Sequence, residues 1–242
     1  MTVARALYSA ALVAAQPLLR RKLARRGITE PGYLEAIEER FGHYSQAPGQ
    51  GFVWVHAVSL GETRAAGILI AALRAEWARR GWPFRLLLTH GTATGRAEGQ
   101  SLLREGDVQV WQPWDTPAAV QRFVRHFQPA LGLIMETEVW PNLIAACEGA
   151  GIPLALANAR LNERSRAAAQ RLRWLSAPAY RGFSAVWAQT EDDATRLRAV
   201  GAKVQAVLGN VKFDAQPDEA QQVLGRALAR RPQPGAHGAQ HG

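Results

Sequence analysis

With a single cysteine, Cys147, and two methionines in 242 residues, the chain can form neither an internal disulfide framework nor a multi-cysteine metal site, which suits a reducing compartment. Acidic residues are sparse: 20 Asp and Glu stand against 29 Lys and Arg, for a formal charge of +9. No apolar run reaches the roughly twenty residues that a spanning helix needs. The stretch ALYSAALVAAQPLL at 6–19 has 14, with Gln16 and Pro17 inside it. No glycine-rich turn is followed by Gly-Lys-Ser/Thr, so a Walker loop is excluded. His43, His90 and His126 lack metal-ligand spacing, and no metal is expected. No solenoid repeat, heptad or nucleic-acid motif accompanies the basic charge, and no nucleic-acid partner is expected. What remains is ample: 48% hydrophobic against 20% charged residues make a real core and exclude wholesale disorder.

The basic excess is local. Within the first 30 residues Arg5, Arg20, Arg21, Lys22, Arg25 and Arg26 face one acid, Glu30. An apolar stretch followed at once by RRKLARR favours a retained segment, its apolar residues dipping into a bilayer and its cations on anionic head groups, over a cleaved signal peptide. A surface helix packed on its own domain is the plainer alternative. Residues 33–41, YLEAIEERF, read as a short amphipathic helix with Tyr33, Leu34, Ile37 and Phe41 near one face. Residues 1–45 thus form a membrane-associated helical segment.

From residue 52 apolar strands alternate with helical stretches. Strands are expected at 52–58, 84–90, 108–113, 130–136, 152–158, 185–190 and 203–209. Helices are expected at 63–80, 94–104, 116–127, 140–150, 163–180 and 191–200. That alternation predicts an α/β, Rossmann-like parallel sheet over 50–214 with helices on both faces. Sites in such sheets gather at the carboxyl ends of the strands.

Five strand ends carry chemistry. HAVSLGET (56–63) puts Ser59 and Gly61 in a tight turn and Glu62 at a helix start. An acid there is either a simple dipole and cap residue or a general base at the mouth of the sheet. THGTATGRAEG (89–99) is a second such turn, where backbone N–H groups with Thr92, Thr94 and Gly95 either hold an anion or merely cap. METEVWPN (135–142) places Glu136 and Glu138 two apart, pointing the same way if strand alternation persists, before a helix opened by Trp140-Pro141. ANARLNERS (157–165) and GNVKFDAQP (209–217) add Asn158, Arg160 and Lys212, as ion-pair partners or as charge stabilisers. His56 is read as a satisfied buried histidine.

Taken in order, HAVSLGE, LLTHGTATG, METEVWPNLI, NARLNERS and GNVKFD across 52–214 resemble the 3-deoxy-D-manno-octulosonic acid (Kdo) transferases of lipopolysaccharide synthesis, in the N-terminal half of their GT-B glycosyltransferase fold. The resemblance implies metal-free transfer of Kdo from CMP-Kdo to a hydroxyl of a lipid A precursor, lipid IVA, with no cofactor, at the cytoplasmic side of the cell inner membrane. It assigns Glu62 as general base, with Glu136 and Lys212 stabilising the transition state. Ser59, Gly61, Thr92, Thr94, Gly95, Glu138, Asn158 and Arg160 are then substrate-binding. Leu60 stands where the family usually has valine, and Ala93 where proline is common. In the family a second domain follows and supplies most CMP contacts. Here 215–242 reads as one more helix, DEAQQVLGRALARR, and a disordered tail, so either a truncated form or one half of a split enzyme is expected, the latter with a separate donor-binding half as partner. The alternative function is a non-catalytic module that holds anionic lipid at a membrane surface.

Overall fold

The computed structural model describes residues 2–214; the helix and tail expected over 215–242 lie outside the described residues. Seven strands form one parallel sheet: β1 (Val53–His56), β2 (Leu86–His90), β3 (Val108–Trp111), β4 (Leu131–Met135), β5 (Leu154–Ala159), β6 (Ala185–Ala188) and β7 (Val204–Val207). Their spatial order is β3-β2-β1-β4-β5-β6-β7. The chain therefore lays β2 and β3 on one side of β1, then reverses and builds β4 to β7 on the other. This places the topological switch point between the carboxyl ends of β1 and β4, where His56 is in register with Ile134.

β1, β2 and β5 are buried along their whole length, as expected of strands covered on both faces. Their side chains alternate between two core layers. Phe52, Trp54, Leu87, Ile134 and Leu156 share one layer. Val55, Leu86, Leu88, Leu133 and Met135 share the other, against Ala65, Ala66 and Ile70 of α3 (Leu60–Arg79). Gly132 in β4 makes room for the first layer: a Cβ there would lie 2.7 Å from the Trp54 ring. The remaining sheet helices are α4 (Ala93–Gln100), α5 (Pro117–Phe127), α6 (Pro141–Gly149), α7 (Glu163–Arg171), α8 (Arg173–Arg181) and α9 (Glu191–Ala199).

Two expected helices differ. Residues 163–180 are not one helix: the chain breaks at Leu172, which has non-helical backbone angles, into α7 and α8. The Ser176 hydroxyl donates to the Ala169 and Leu172 carbonyls at 2.6 and 3.2 Å, and so takes the Ala169 acceptor that a continuous ladder would give to the Arg173 N–H. Residues 33–41 are not an amphipathic α-helix but two 3₁₀ turns, Pro31–Leu34 and Ile37–Phe41, parted by Ala36 at φ 46°. Tyr33 and Phe41 are buried as expected, whereas Leu34 is exposed.

The reason lies in polar pairing that the periodicity does not report. Glu39 Oε2 accepts the Trp111 backbone N–H of edge strand β3 at 2.8 Å and pairs with Arg96 at 2.8 Å. The Arg40 guanidinium lies 3.8 Å over the Trp111 ring and donates to the Gly91 carbonyl at 3.2 Å. The turns thus cover the open edge of the sheet.

The head forms α1 (Val3–Ala14) and α2 (Gln16–Thr29), parted at Ala15. Among the described residues no helix is long and apolar enough to cross a membrane. α1 rests on α6 and α8, with Ser9 buried and its hydroxyl donating to Asn142 Oδ1 at 3.0 Å. Val3, Leu7, Val13 and Leu18 remain exposed.

Candidate active site

The loop leaving β1 is built to hold one carboxylate. Ser59 caps α3: its hydroxyl accepts the Glu62 N–H at 3.4 Å and donates to Glu62 Oε1 at 3.0 Å. Glu62 Oε2 accepts the Val58 N–H at 2.8 Å. The Glu62 carboxylate thus serves the helix cap and the site at once, in a reciprocal arrangement with Ser59, and is half-buried at the switch point. Burial raises the Glu62 pKa, the Val58 and Ser59 donors oppose it, and the charge of Glu136 adds to it.

The threonine-rich turn after β2 clamps that loop. Thr92 donates to the Val58 carbonyl at 2.8 Å and accepts the Gly95 N–H at 3.2 Å. A Cβ on Gly95 would lie 2.8 Å from the same carbonyl, so only glycine allows this approach. Thr92 and Gly95 are thus occupied in joining two loops, while Thr94 is exposed with its hydroxyl 3.4 Å from that of Thr92.

On the other side of the switch point, the chain leaves β4 through Glu136, at φ 56°, whose N–H donates to the Ala157 carbonyl at 2.9 Å. This left-handed step turns the Glu136 side chain over the rim. Its carboxylate lies 3.3 Å from Arg160 Nε and 3.6 Å from Lys212 Nζ. Glu138 is drawn into the same cluster, and burial, aided by the Glu62 charge, pushes its pKa up to about 7. Three carboxylates therefore converge, and the third holds its proton near neutrality.

Lys212 sits on the 3₁₀ turn Val211–Asp214, which packs on α3. The turn is anchored by Asn158, buried at the end of β5 with φ 53°, whose Oδ1 accepts the Val211 N–H at 3.2 Å. Gly61 lies beside the cation: a Cβ there would meet Lys212 Nζ at 3.9 Å, an ordinary van der Waals contact. The structure thus brings Glu62, Glu136, Glu138, Lys212 and Arg160 together, with Ser59, Gly61, Thr92, Gly95 and Asn158 as their supports.

Several contributors to this arrangement carried no local signal. Asp115, 2% exposed, accepts the N–H groups of Asn142 and Leu143 at 3.0 and 2.7 Å and so caps α6, the helix that follows the Glu136–Trp140 loop. The N-cap of α5 is Thr116, so the place of Asp115 just before it gives no hint of a partner 27 residues on. Burial pushes its pKa up to about 6, against the two N–H donors and the Tyr8 hydroxyl of α1. His90, given no role from sequence, joins two strand ends: Nδ1 lies 3.0 Å from the Ala57 carbonyl and Nε2 3.0 Å from Gln109. His56 Nδ1 meets Thr89, while its Nε2 is buried without a partner. Burial holds both imidazoles neutral, at about 4 for His56 and about 3 for His90.

A family model described as 3-deoxy-D-manno-octulosonic-acid transferase (kdotransferase) matches residues 35–215, taking in every strand and all five clustered charges. The 3-deoxy-D-manno-octulosonic acid transferase of Bordetella pertussis is 43% identical over 234 residues, 93% of this chain and 53% of that protein. That of Haemophilus influenzae is 30% identical over 220 residues, 89% of this chain and 50% of its own. The chain spans about half the length of these two curated relatives. A solved UDP-GlcNAc 2-epimerase from Neisseria meningitidis, bound to UDP-GlcNAc, overlays with a TM-score of 0.47 at 16% identity, over 74% of this chain and 50% of that one. By the extent of the family match and of the identity to its members, this chain belongs to the 3-deoxy-D-manno-octulosonic-acid transferase family.

Proposed function

We propose that the chain is the acceptor-side, base-carrying half of a GT-B glycosyltransferase that moves Kdo from CMP-Kdo to a hydroxyl of a lipid A precursor, without a metal. The observation that carries this reading is the placement of Glu62 at the switch point, fixed through Val58 and Ser59, opposite the Glu136–Lys212 pair. The Glu62 carboxylate accepts the proton of the acceptor hydroxyl as that oxygen bonds to the anomeric carbon of the sugar. The bond from that carbon to the CMP phosphate oxygen breaks at the same centre, and the electron pair leaves with CMP. Positive charge that develops on the sugar is favoured by the Glu136 carboxylate. Lys212 meets the negative charge of the donor and leaving group, held in reach by its pairing with Glu136 at 3.6 Å. Glu138, with its pKa at about 7, carries only part of a charge at neutral pH, so the cluster holds less than three full negative charges.

The same reading sets this half on the cytoplasmic face of the inner membrane. Support comes from the exposed Val3, Leu7 and Leu18 and from Leu18, Arg21, Lys22, Arg25 and Arg26 around one hollow on α2. In this reading CMP-Kdo is held by the other half of the fold, the part of the relatives' length that this chain does not cover. Mixing the chain with the separately produced C-terminal half of the Bordetella pertussis relative, CMP-Kdo and tetra-acylated lipid A precursor tests it. Kdo-lipid product above the level of either half alone is expected. Product absent from the mixture, with the intact relative active beside it, overturns the reading.

A further inference from the structure

On the flank of the domain away from the catalytic rim, α8 and the end of α9 enclose an open groove of about 850 Å³. Arg173, Arg181 and Arg198 line it together with Trp174, and none of its lining residues is Asp or Glu. Of the nearby arginines, Arg166 is matched by Glu163 and Arg196 by Asp193, whereas Arg164 and Arg171 of α7 have no ion pair among the described residues. The three groove guanidiniums likewise have no ion pair or hydrogen bond among the described residues, and all three line one groove that holds no acid. Helix ends explain part of this: Arg181 and Arg198 stand in the last turns of α8 and α9, where cations offset the macrodipole. Arg173 does not fit that account. It is the first residue of α8, where the dipole disfavours a cation, yet it faces the same groove.

Three guanidiniums lining one groove without an acid make a site for an anion, and the surroundings select its source. Trp174 and Leu172, 51% and 50% exposed, stand at the same α7–α8 junction. Trp174 also lines a second hollow with Thr2 and Arg5 of the head, which joins the groove to α1 and its exposed Val3 and Leu7. Exposed aromatic and apolar side chains beside arginines are the composition of a surface that meets the head-group layer of a bilayer. We propose that the α8–α9 groove binds the phosphate of an anionic lipid head group, so that the membrane-facing surface extends from α1 across α8. This rests on the membrane placement proposed above and adds to it a site outside the head.

The test is co-flotation of the chain with vesicles of phosphatidylcholine alone and with 30% phosphatidylglycerol, roughly the anionic content that makes each basic residue worth about 1 kcal/mol, or about fivefold in partitioning. Arg173→Gln, Arg181→Gln and Arg198→Gln are each expected to lower partitioning to the anionic vesicles about fivefold. Arg104→Gln, beside edge strand β3 at the other end of the sheet, removes the same charge and is expected to have little effect. Unchanged thermal melts show that each variant is folded. If the parent chain floats with anionic vesicles and the groove variants float equally, the groove proposal fails while the membrane placement stands. If the parent chain floats with neither vesicle, the membrane placement fails, and the groove proposal with it. If the groove variants lose affinity for inorganic phosphate in solution while their partitioning to anionic vesicles is unchanged, or if they change self-association instead, the groove serves a soluble anion or a second copy, and the proposal is overturned.

Discussion

Asp115 should make the stability of this domain depend on pH in a direction opposite to that of an ordinary paired carboxylate. It is buried, caps α6 through two backbone N–H groups, and titrates at about 6 instead of 3.8 because desolvation outweighs those bonds. The folded state therefore holds this proton more tightly than the unfolded state. Stability contributed by the protonated acid is fully present below about 3.8 and is lost as pH rises through about 6. The whole effect amounts to ~3 kcal/mol, and the part that falls between pH 4.5 and 7.5 to ~2 kcal/mol. Asp115→Ala removes the titrating group along with the cap. Its cost should be ~2 kcal/mol larger at pH 4.5 than at pH 7.5, which for a domain of this size separates the two melting shifts by about 4–8 °C. Other shifted groups, Glu138 among them, are present in both proteins and cancel in the comparison. Thermal unfolding followed by circular dichroism at the two pH values measures it. Equal shifts at both, or a larger shift at pH 7.5, would refute the reasoning that burial dominates at Asp115.

Three further outcomes are expected. Gly95→Ala drives a Cβ to 2.8 Å from the Val58 carbonyl, so it should lower stability by about 1–3 kcal/mol, read as a fall in urea midpoint at constant slope. Asn158→Ala removes the acceptor for the Val211 N–H and places a residue less suited to φ 53° in the left-handed region; proteolytic cleavage near Lys212 should accelerate, and cleavage unchanged from the parent would count against Asn158 as the anchor. With its pKa at about 7, Glu138 is largely protonated in the acid range, so Glu138→Gln removes little charge from beside Glu62. The rate of the reconstituted enzyme falls as pH drops through the raised Glu62 value, and in this variant that acid limb should stay in place; a limb moved to lower pH would show that Glu138 is charged there.

The sheet was legible because its signal is local: runs such as FVWVH and LALANA are apolar throughout, with helical spacing between them, and parallel strands need little else. Glu62, Glu136 and Lys212 were legible because each stands where a strand ends, which is where such sheets place their sites. Alternation alone, however, did not give the orientation of Glu136, which depends on its left-handed backbone. Thr92 read as an anion ligand as readily as a clamp, since a hydroxyl's partner 34 residues away, the Val58 carbonyl, leaves no trace in sequence spacing. The same holds for Glu39, buried because the Trp111 N–H of an edge strand needs an acceptor, and for Asp115, which serves a helix start 27 residues downstream. Apolar periodicity reports burial of apolar faces. It is silent on polar groups buried because they found distant partners.

The most direct measurement of the account is Kdo transfer by the two mixed halves with Glu62→Gln in this one. Gln keeps the size and hydrogen-bonding shape of the side chain but accepts no proton. With Glu62 as the base, the turnover rate should fall by about 10²–10⁴ while the acceptor KM changes little and the melting temperature stays near that of the parent. Turnover equal to that of the parent would contradict the assignment of Glu62 and, with it, the chemical role given to this half.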